Sequence, residues 1–406
     1  NENIFYSRKW ALLSTIMLIL SPRLFAHSFF NSKDMIFLSL FTISVFSLLK
    51  FIEKRNFKIT VIHALTTALA VDVRIPGVLL LALTWMGVGL SLCWPKSGKK
   101  EIKRNIVMLV IYTICALGFI VLFWPILWSN PIHHFVEAFQ EMSKYPSDGK
   151  VLYFGKYVFS TQLPWHYVPG WIFITTPLLY SFLFIIGCCH LAVRVQQNKE
   201  IVFNAVILGW FFIPLMAVII FKSVMYDAWR QMFFIYPALI IIAASGTRFL
   251  YDWIMKLQNR VKKRVSAIIF KSLLIGYLLS ILVTMMQYHP FQNVYFNSVL
   301  GPDLSFVKYK FDLDYWGLSY RNALEYILRT DPSTQIPITA ANSPGRTNAL
   351  ILPEEDRNRL VYVSHPEQAK YFLSNDRGRI EDYSFPNLYY GIDLDGARIM
   401  GVYKLK

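Results

Sequence analysis

Nine apolar runs, most of them close to bilayer length, follow one another through the first three quarters of the chain, with short lysine and arginine clusters between them. They are Trp10–Phe25, Met35–Phe51, Ile59–Val71, Pro76–Trp94, Asn105–Trp124, Trp171–Val193, Ile201–Phe221, Gln231–Leu250 and Val265–Gln287. A helix needs roughly 20 apolar residues to cross a bilayer, fewer where protein neighbours cover part of it. The third run is short and polar, and charge requires it. Arg8/Lys9, Lys50 to Lys58, Lys96 to Arg104, Arg194 to Lys199 and Lys256 to Arg264 all fall on one side, the cytoplasmic one, only when all nine runs cross. Composition agrees: 55% of the residues are hydrophobic and 16% charged, with a mean hydropathy of +0.40. The formal net charge of +16 is therefore a topology signal and not a nucleic-acid footprint. No nucleic-acid partner is expected.

The segments left outside are Ala26 to Asp34, Asp72 to Ile75, Pro125 to Gly170, Lys222 to Arg230 and everything beyond Tyr288. In the long loop, Asn130-Pro131 reads as an N-cap and a helix-starting proline, and Phe135, Ala138, Phe139 and Met142 then share one face. An amphipathic helix over about 130–143, lying on the membrane surface, is expected. Beyond Gly301 the composition turns polar, with a helix at Ser319 to Arg329, strands at Gln335 to Ala340, Arg359 to Val363 and Arg398 to Tyr403, and a further helix near Pro366 to Leu373. The fold class is thus an all-α polytopic membrane domain, residues 1–300, followed by a small non-cytoplasmic α/β domain, residues 301–406.

Cys93, Cys115, Cys188 and Cys189 lie in or beside apolar runs and make neither a disulfide framework nor a CxxC site. Their absence from the outer part points to a bacterial inner membrane in preference to the endoplasmic reticulum lumen. The chain opens on Asn1, from which residues missing upstream are expected.

Ionisable groups gather on the proposed outer face: Arg23, His27, Lys33 and Asp34 in the first loop, Asp72 and Arg74 in the next, and Tyr226, Asp227 and Arg230 in a third. Each has a structural explanation. Asp34 opens a long helix, where the macrodipole favours an acid, and the arginines could anchor at the interface or pair with Asp72 and Asp227. Together, a carboxylate, guanidinium forks and a lysine suit an anionic phosphate substrate and an acid/base step. His27, His133, His134, His166 and His289 show no metal-ligand spacing.

The string Ser21-Pro-Arg-Leu-Phe-Ala-His-Ser-Phe-Phe-Asn-Ser-Lys-Asp34 resembles the second outer loop of the dolichyl-phosphate-mannose protein mannosyltransferase family and its bacterial relatives. So do Asp72-Val-Arg-Ile-Pro-Gly77, Tyr226-Asp-Ala-Trp-Arg230 and His289-Pro-Phe-Gln-Asn-Val-Tyr-Phe-Asn297, over roughly residues 8 to 300. The resemblance implies a glycosyltransferase C fold and inverting transfer of a sugar from a polyprenyl-phosphate carrier to a hydroxyl of a protein, lipid or glycan acceptor. It implies Arg74 and Arg230 at the departing phosphate with Lys33, Arg23 or His27 assisting, and Tyr226, Asp227 and His289 at the acceptor or pocket. Asp34 matches the family's second acidic residue, which binds acceptor or a divalent metal. The acidic motif of the family's first outer loop, usually taken as the base, has no counterpart after Asn1. Asp314-Tyr-Trp-Gly-Leu-Ser-Tyr320 is similar to C-terminal sequences of bacterial relatives. Two other classes compete. A transporter or flippase would show charges or broken helices at the midplane and symmetric halves, and a catalytically inactive relative would act as a scaffold.

Overall fold

The computed structural model describes residues 7–93, 98–143, 149–197 and 200–406. About 66% of the chain is helical. It divides into two compact units: residues 1–147, 164–225 and 229–283 make the first, and residues 148–163, 226–228 and 284–406 the second.

The first unit is built from α1 (Arg8–Ile19), α2 (Pro22–Phe30), α3 (Ser32–Lys54), α4 (Phe57–Val73), α5 (Leu79–Cys93), α6 (Lys99–Phe123), α7 (Pro131–Ser143), α8 (Tyr167–Thr175), α9 (Leu178–Gln196), α10 (Ile201–Ile220), α11 (Tyr236–Met255) and most of α12 (Arg260–Gln287). Among the described residues seven helical stretches are long and apolar enough to cross a membrane, or eight if the bent pair α1 and α2 counts as one span. These are the marks of an integral membrane protein. The helices differ in setting: 78% of the best apolar window of the α11 stretch is buried, against 11% for α12. Thus α11 is the central helix and α12 exposes its apolar residues. Gly187 and Gly246 let α9 and α11 touch backbone to backbone, since a Cβ at Gly187 would fall 1.9 Å from Ile242 O and one at Gly246 would fall 2.1 Å from Leu183 O.

Two runs read as continuous in the sequence are broken. The first bends by 68° between α1 and α2, where Pro22 takes the opening position of a new helix after Ser21. The sixth is interrupted between α8 and α9 at Thr176-Pro177, because Pro177 has no N–H to continue the ladder. The third run, α4, has 17 residues and falls just short of span length. It nonetheless carries the chain back along α3, with Ser47 Oγ 2.8 Å from His63 Nδ1 near one end and Ser44 Oγ 3.0 Å from Thr67 Oγ1 further on. Tyr112 OH, 3.1 Å from Thr67 Oγ1, and Thr84 Oγ1, 2.9 Å from His63 Nε2, extend this buried network to α6 and α5. The polarity that weakens α4 as a span is what fastens it to three neighbours, since buried polar groups must be paired. The amphipathic helix of the long loop is present as α7, with Phe135 packed edge-on to Trp124 at 6.2 Å and Ile132, Val136 and Phe139 exposed.

In the second unit, β1 (Lys150–Tyr153) and β2 (Lys156–Phe159) form a hairpin. A five-stranded mixed sheet runs in the order β4 (Leu360–Tyr362), β3 (Ile336–Ala340), β5 (Tyr371–Ser374), β7 (Ala397–Lys404), β6 (Leu388–Leu394). Strand β3 is parallel to β4 and β5, and β7 is antiparallel to β5 and β6. Helix α13 (Ser319–Thr330) lays Tyr320, Leu324 and Ile327 onto Ile336, Ile338, Leu373 and Val402. The helix expected near Pro366 to Leu373 is instead a three-residue turn, Pro366–Gln368, followed by the strand β5. Each of the four β5 side chains is buried, as a central strand requires, so the run lacks the alternation that marks a strand in sequence.

Candidate functional site

The site assembles where helices of the first unit end. Asn31 caps α3, accepting the Asp34 N–H through Oδ1 at 3.1 Å while its Nδ2 donates to Asp34 Oδ2 at 2.8 Å. This reciprocal cap fixes the Asp34 carboxylate in the first turn, where the helix dipole favours an anion. The same Asn31 Nδ2 lies 3.0 Å from His27 Nδ1, which accepts from it. His27 is wholly buried on α2, its ring edge-on to Phe233 at 4.8 Å.

Two guanidiniums meet on this carboxylate. Arg74 Nη1 stands 2.8 Å from Oδ1 and Arg230 Nη1 3.0 Å from Oδ2, with 1% of the Asp34 side chain exposed against 15% for Arg74 and 13% for Arg230. Arg74 is the extended residue that ends α4, immediately before the short turn Ile75–Val78. Gly77 is needed there, because a Cβ would lie 2.6 Å from Val71 N. Arg230 opens the turn Arg230–Ile235 that leads into α11, where the buried rings of Trp229 and Phe233 pack edge-on at 4.8 Å. Trp229 Nε1 donates to Thr175 Oγ1 at 2.9 Å, tying that turn to the end of α8. Arg23, also buried, places its guanidinium 5.3 Å from the centre of the Trp171 ring.

Of the residues singled out from sequence, Asp34, Arg74, Arg230, His27 and Arg23 therefore lie at one end of the helices of this unit. Lys33 does not join them: it follows Ser32 on the solvent side of α3 and is exposed. Tyr226, Asp227 and His289 belong to the second unit. There Arg377 Nη2 donates to Asp227 at 2.6 Å, and the exposed His289 lies 3.2 Å from Gln292 through Nδ1. Both arginines share a contact with Asp34. Asn31 was part of the quoted string but not of the site. Its signal was the N-cap spacing Asn31-Ser-Lys-Asp34, an acid three residues after a capping side chain.

Asp34 does not fit a divalent metal, since two cationic forks already occupy its oxygens. Elsewhere, His133, His134 and Glu137 on α7 bring donor atoms within 4.8 Å of one another, a grouping that the sequence reading did not assign to these histidines. Glu137 there is already 3.3 Å from His134 Nδ1, and His133 and Glu137 are exposed.

The other quoted stretches have structural work. Asp314 accepts from Leu318 N, Ser319 N and Ser319 Oγ, at 3.2, 2.9 and 2.6 Å, at the start of α13. Asn293, from the His289 to Asn297 string, donates to the same carboxylate at 3.1 Å. Two motifs of the second unit thus meet at one buried joint.

No protein-family model matches the chain, and no curated protein matches it.

Proposed function

We propose that the protein is an inverting glycosyltransferase of the glycosyltransferase C type, moving a sugar from a polyprenyl-phosphate donor to an acceptor hydroxyl outside the cytoplasm. The observation that carries this reading is the pair Arg74 and Arg230, held on the single carboxylate of Asp34 at the ends of apolar helices. Two guanidiniums gathered on one carboxylate concentrate positive charge, which suits a phosphate whose lipid tail stays in the bilayer. A nine-span topology, with α4 as the third crossing, belongs to the same reading. Because α4 returns the chain from the Lys50 to Lys58 end to Asp34, the basic clusters gather at the opposite end of the helices, the cytoplasmic one.

In the transfer, the acceptor oxygen bonds to the anomeric carbon, the bond from that carbon to the phosphate oxygen breaks, and the phosphate leaves on its polyprenol. Its negative charge is met by Arg74 and Arg230, donors already in place before the reaction. Asp34 orients both guanidiniums, and the acceptor proton goes to a base other than this doubly engaged carboxylate. Arg23 and His27 complete the buried wall of the site. The acceptor is a protein, lipid or glycan bearing a hydroxyl.

The test is transfer from radiolabelled polyprenyl-phosphate sugars, several sugars being tried, in proteoliposomes. Label on an acceptor that disappears in Arg74→Ala and Arg230→Ala supports the reading. Movement of the intact donor between leaflets without transfer would replace it with a lipid transporter, and label retained in both variants would remove the site assignment.

A further inference from the structure

A second polar feature lies at the far end of the central helices. Helices α9 and α11 begin beside the Asp34 end, where Ser21 Oγ donates to Tyr236 OH at 3.0 Å, and 19 or 20 residues later they have risen about 30 Å. There a cleft of about 610 Å³ opens between the ends of α9 and α11 and the start of α10. His190, Arg194, Asn204, Ser245, Arg248 and Lys256 are among its lining residues. Two carboxylates of the same wall hold the arginines without using them up: Arg194 Nη2 is 2.8 Å from Glu200, and Arg248 Nε is 3.5 Å from Asp252. Each contact engages one guanidinium nitrogen of three. Lys256 makes no ion pair among the described residues and is exposed.

The rim is apolar. Phe249, Trp253 and Met255 are 41%, 61% and 38% exposed beside these cations. Cations with free donors at the end of a bilayer-long helix, bordered by exposed aromatic and aliphatic side chains, match the level at which a lipid phosphate passes into its acyl chains. The volume exceeds what a bare phosphate needs and falls in the range of pockets that enclose organic ligands.

We propose that this cleft binds the phosphate headgroup of an anionic membrane lipid. Arg248, Arg194 and Lys256 donate to the phosphate oxygens, and Phe249 and Trp253 pack on the first part of the acyl chains. The site is independent of any chemistry at Asp34.

The test uses the full chain in phosphatidylcholine nanodiscs doped with a diazirine-bearing phosphatidic acid or, in parallel, a diazirine-bearing phosphatidylcholine, with crosslinked peptides mapped after illumination. Labelling by the phosphatidic acid is expected at the ends of α9 and α11, falling about five- to tenfold for each cation removed in Arg248→Gln, Arg194→Gln and Lys256→Gln. Arg248→Lys, which keeps charge but loses the fork, should fall between. Lys256→Gln changes an exposed side chain and so tests the site even if an arginine variant fails to fold. Equal labelling by the phosphatidylcholine, or labelling unchanged in all three variants, would overturn the proposal. Protection by millimolar inorganic phosphate would overturn the lipid assignment in favour of a soluble anion.

Discussion

Each of the two compact units holds an ionic triad, and the triads are mirror images in charge. In the first unit one carboxylate, Asp34, is shared by two guanidiniums. In the second, one ammonium, Lys308, is shared by two carboxylates, with Asp376 at 3.1 Å and Asp382 at 2.6 Å. The second triad closes on itself: Tyr309 OH donates to Asp382 at 3.0 Å and Ser374 Oγ to Asp376 at 3.3 Å. Burial alone would lower the Lys308 pKa, but the two carboxylates outweigh it and hold the value above the ordinary lysine range. The first triad gathers two planar cations on one anion. The second sets two carboxylates on one ammonium, with Tyr309 and Ser374 also donating to them. Under the proposed function the first triad meets a phosphate, whereas the second has no proposed ligand.

The largest effect expected from breaking that contrast is on transfer. Arg74→Ala or Arg230→Ala should reduce the rate by about a hundred- to a thousandfold, the loss typical of removing one donor from a developing anion. Arg74→Lys should recover only part of it, because an ammonium lacks the fork. The measurement is label transfer in proteoliposomes at saturating donor. A variant of Lys308 should leave the same rate unchanged.

Next in size is Asp34→Asn, which removes the carboxylate that two largely buried guanidiniums share. A loss of about 3 kcal/mol in stability is expected, read as a lower thermal midpoint in detergent. If Asp34→Asn kept full stability, the carboxylate would not be what holds the arginines.

How much of this was legible depends on range. Asp34, Arg74 and Arg230 could be picked out because each sits where an apolar run meets a loop, and helix ends at one membrane face must lie near each other. That both arginines would meet on Asp34 was not legible, since it depends on the Gly77 turn and on the path into α11. The seven apolar helical stretches were evident from hydropathy, whereas the breaks at Pro22 and Pro177 were hidden inside runs that stayed apolar across them. In the second unit α13 was readable from its periodicity, while β5 was taken for helix because four buried residues carry no period. The hairpin of β6 and β7 had a signal, Asp395-Gly396, both residues with positive φ, that the sequence reading left unused.

A smaller effect follows from Lys308→Met, which strips the counter-charge from the second triad. Asp376, whose pKa is already raised by burial despite Lys308, should rise further, and stability should fall by about 2 kcal/mol at neutral pH. Part of that loss should return on acidification, as Asp376 takes up a proton. Thermal unfolding at neutral and mildly acidic pH measures both. A loss that did not depend on pH would mean that Lys308 stabilises through packing and not through charge.

The smallest effect belongs to a third pair, which asks whether ionic contacts in the second unit are individually modest. Asp331 Oδ2 is 2.6 Å from Lys370 Nζ, with 1% of the Asp331 side chain and 30% of the Lys370 side chain exposed. Burial pushes the carboxyl up, but Lys370 and Ser333 outweigh it and hold the pKa well below the usual carboxylate range. A depressed acid pKa contributes stability that is complete above the unfolded value near about 4 and is lost as pH falls through the folded one. Asp331→Asn should therefore cost about 1 kcal/mol at neutral pH and almost nothing in strong acid, and it should flatten the decline of the thermal midpoint below about pH 4. An acid decline as steep in Asp331→Asn as in the native chain would assign it to other carboxylates and leave this pair without consequence for stability.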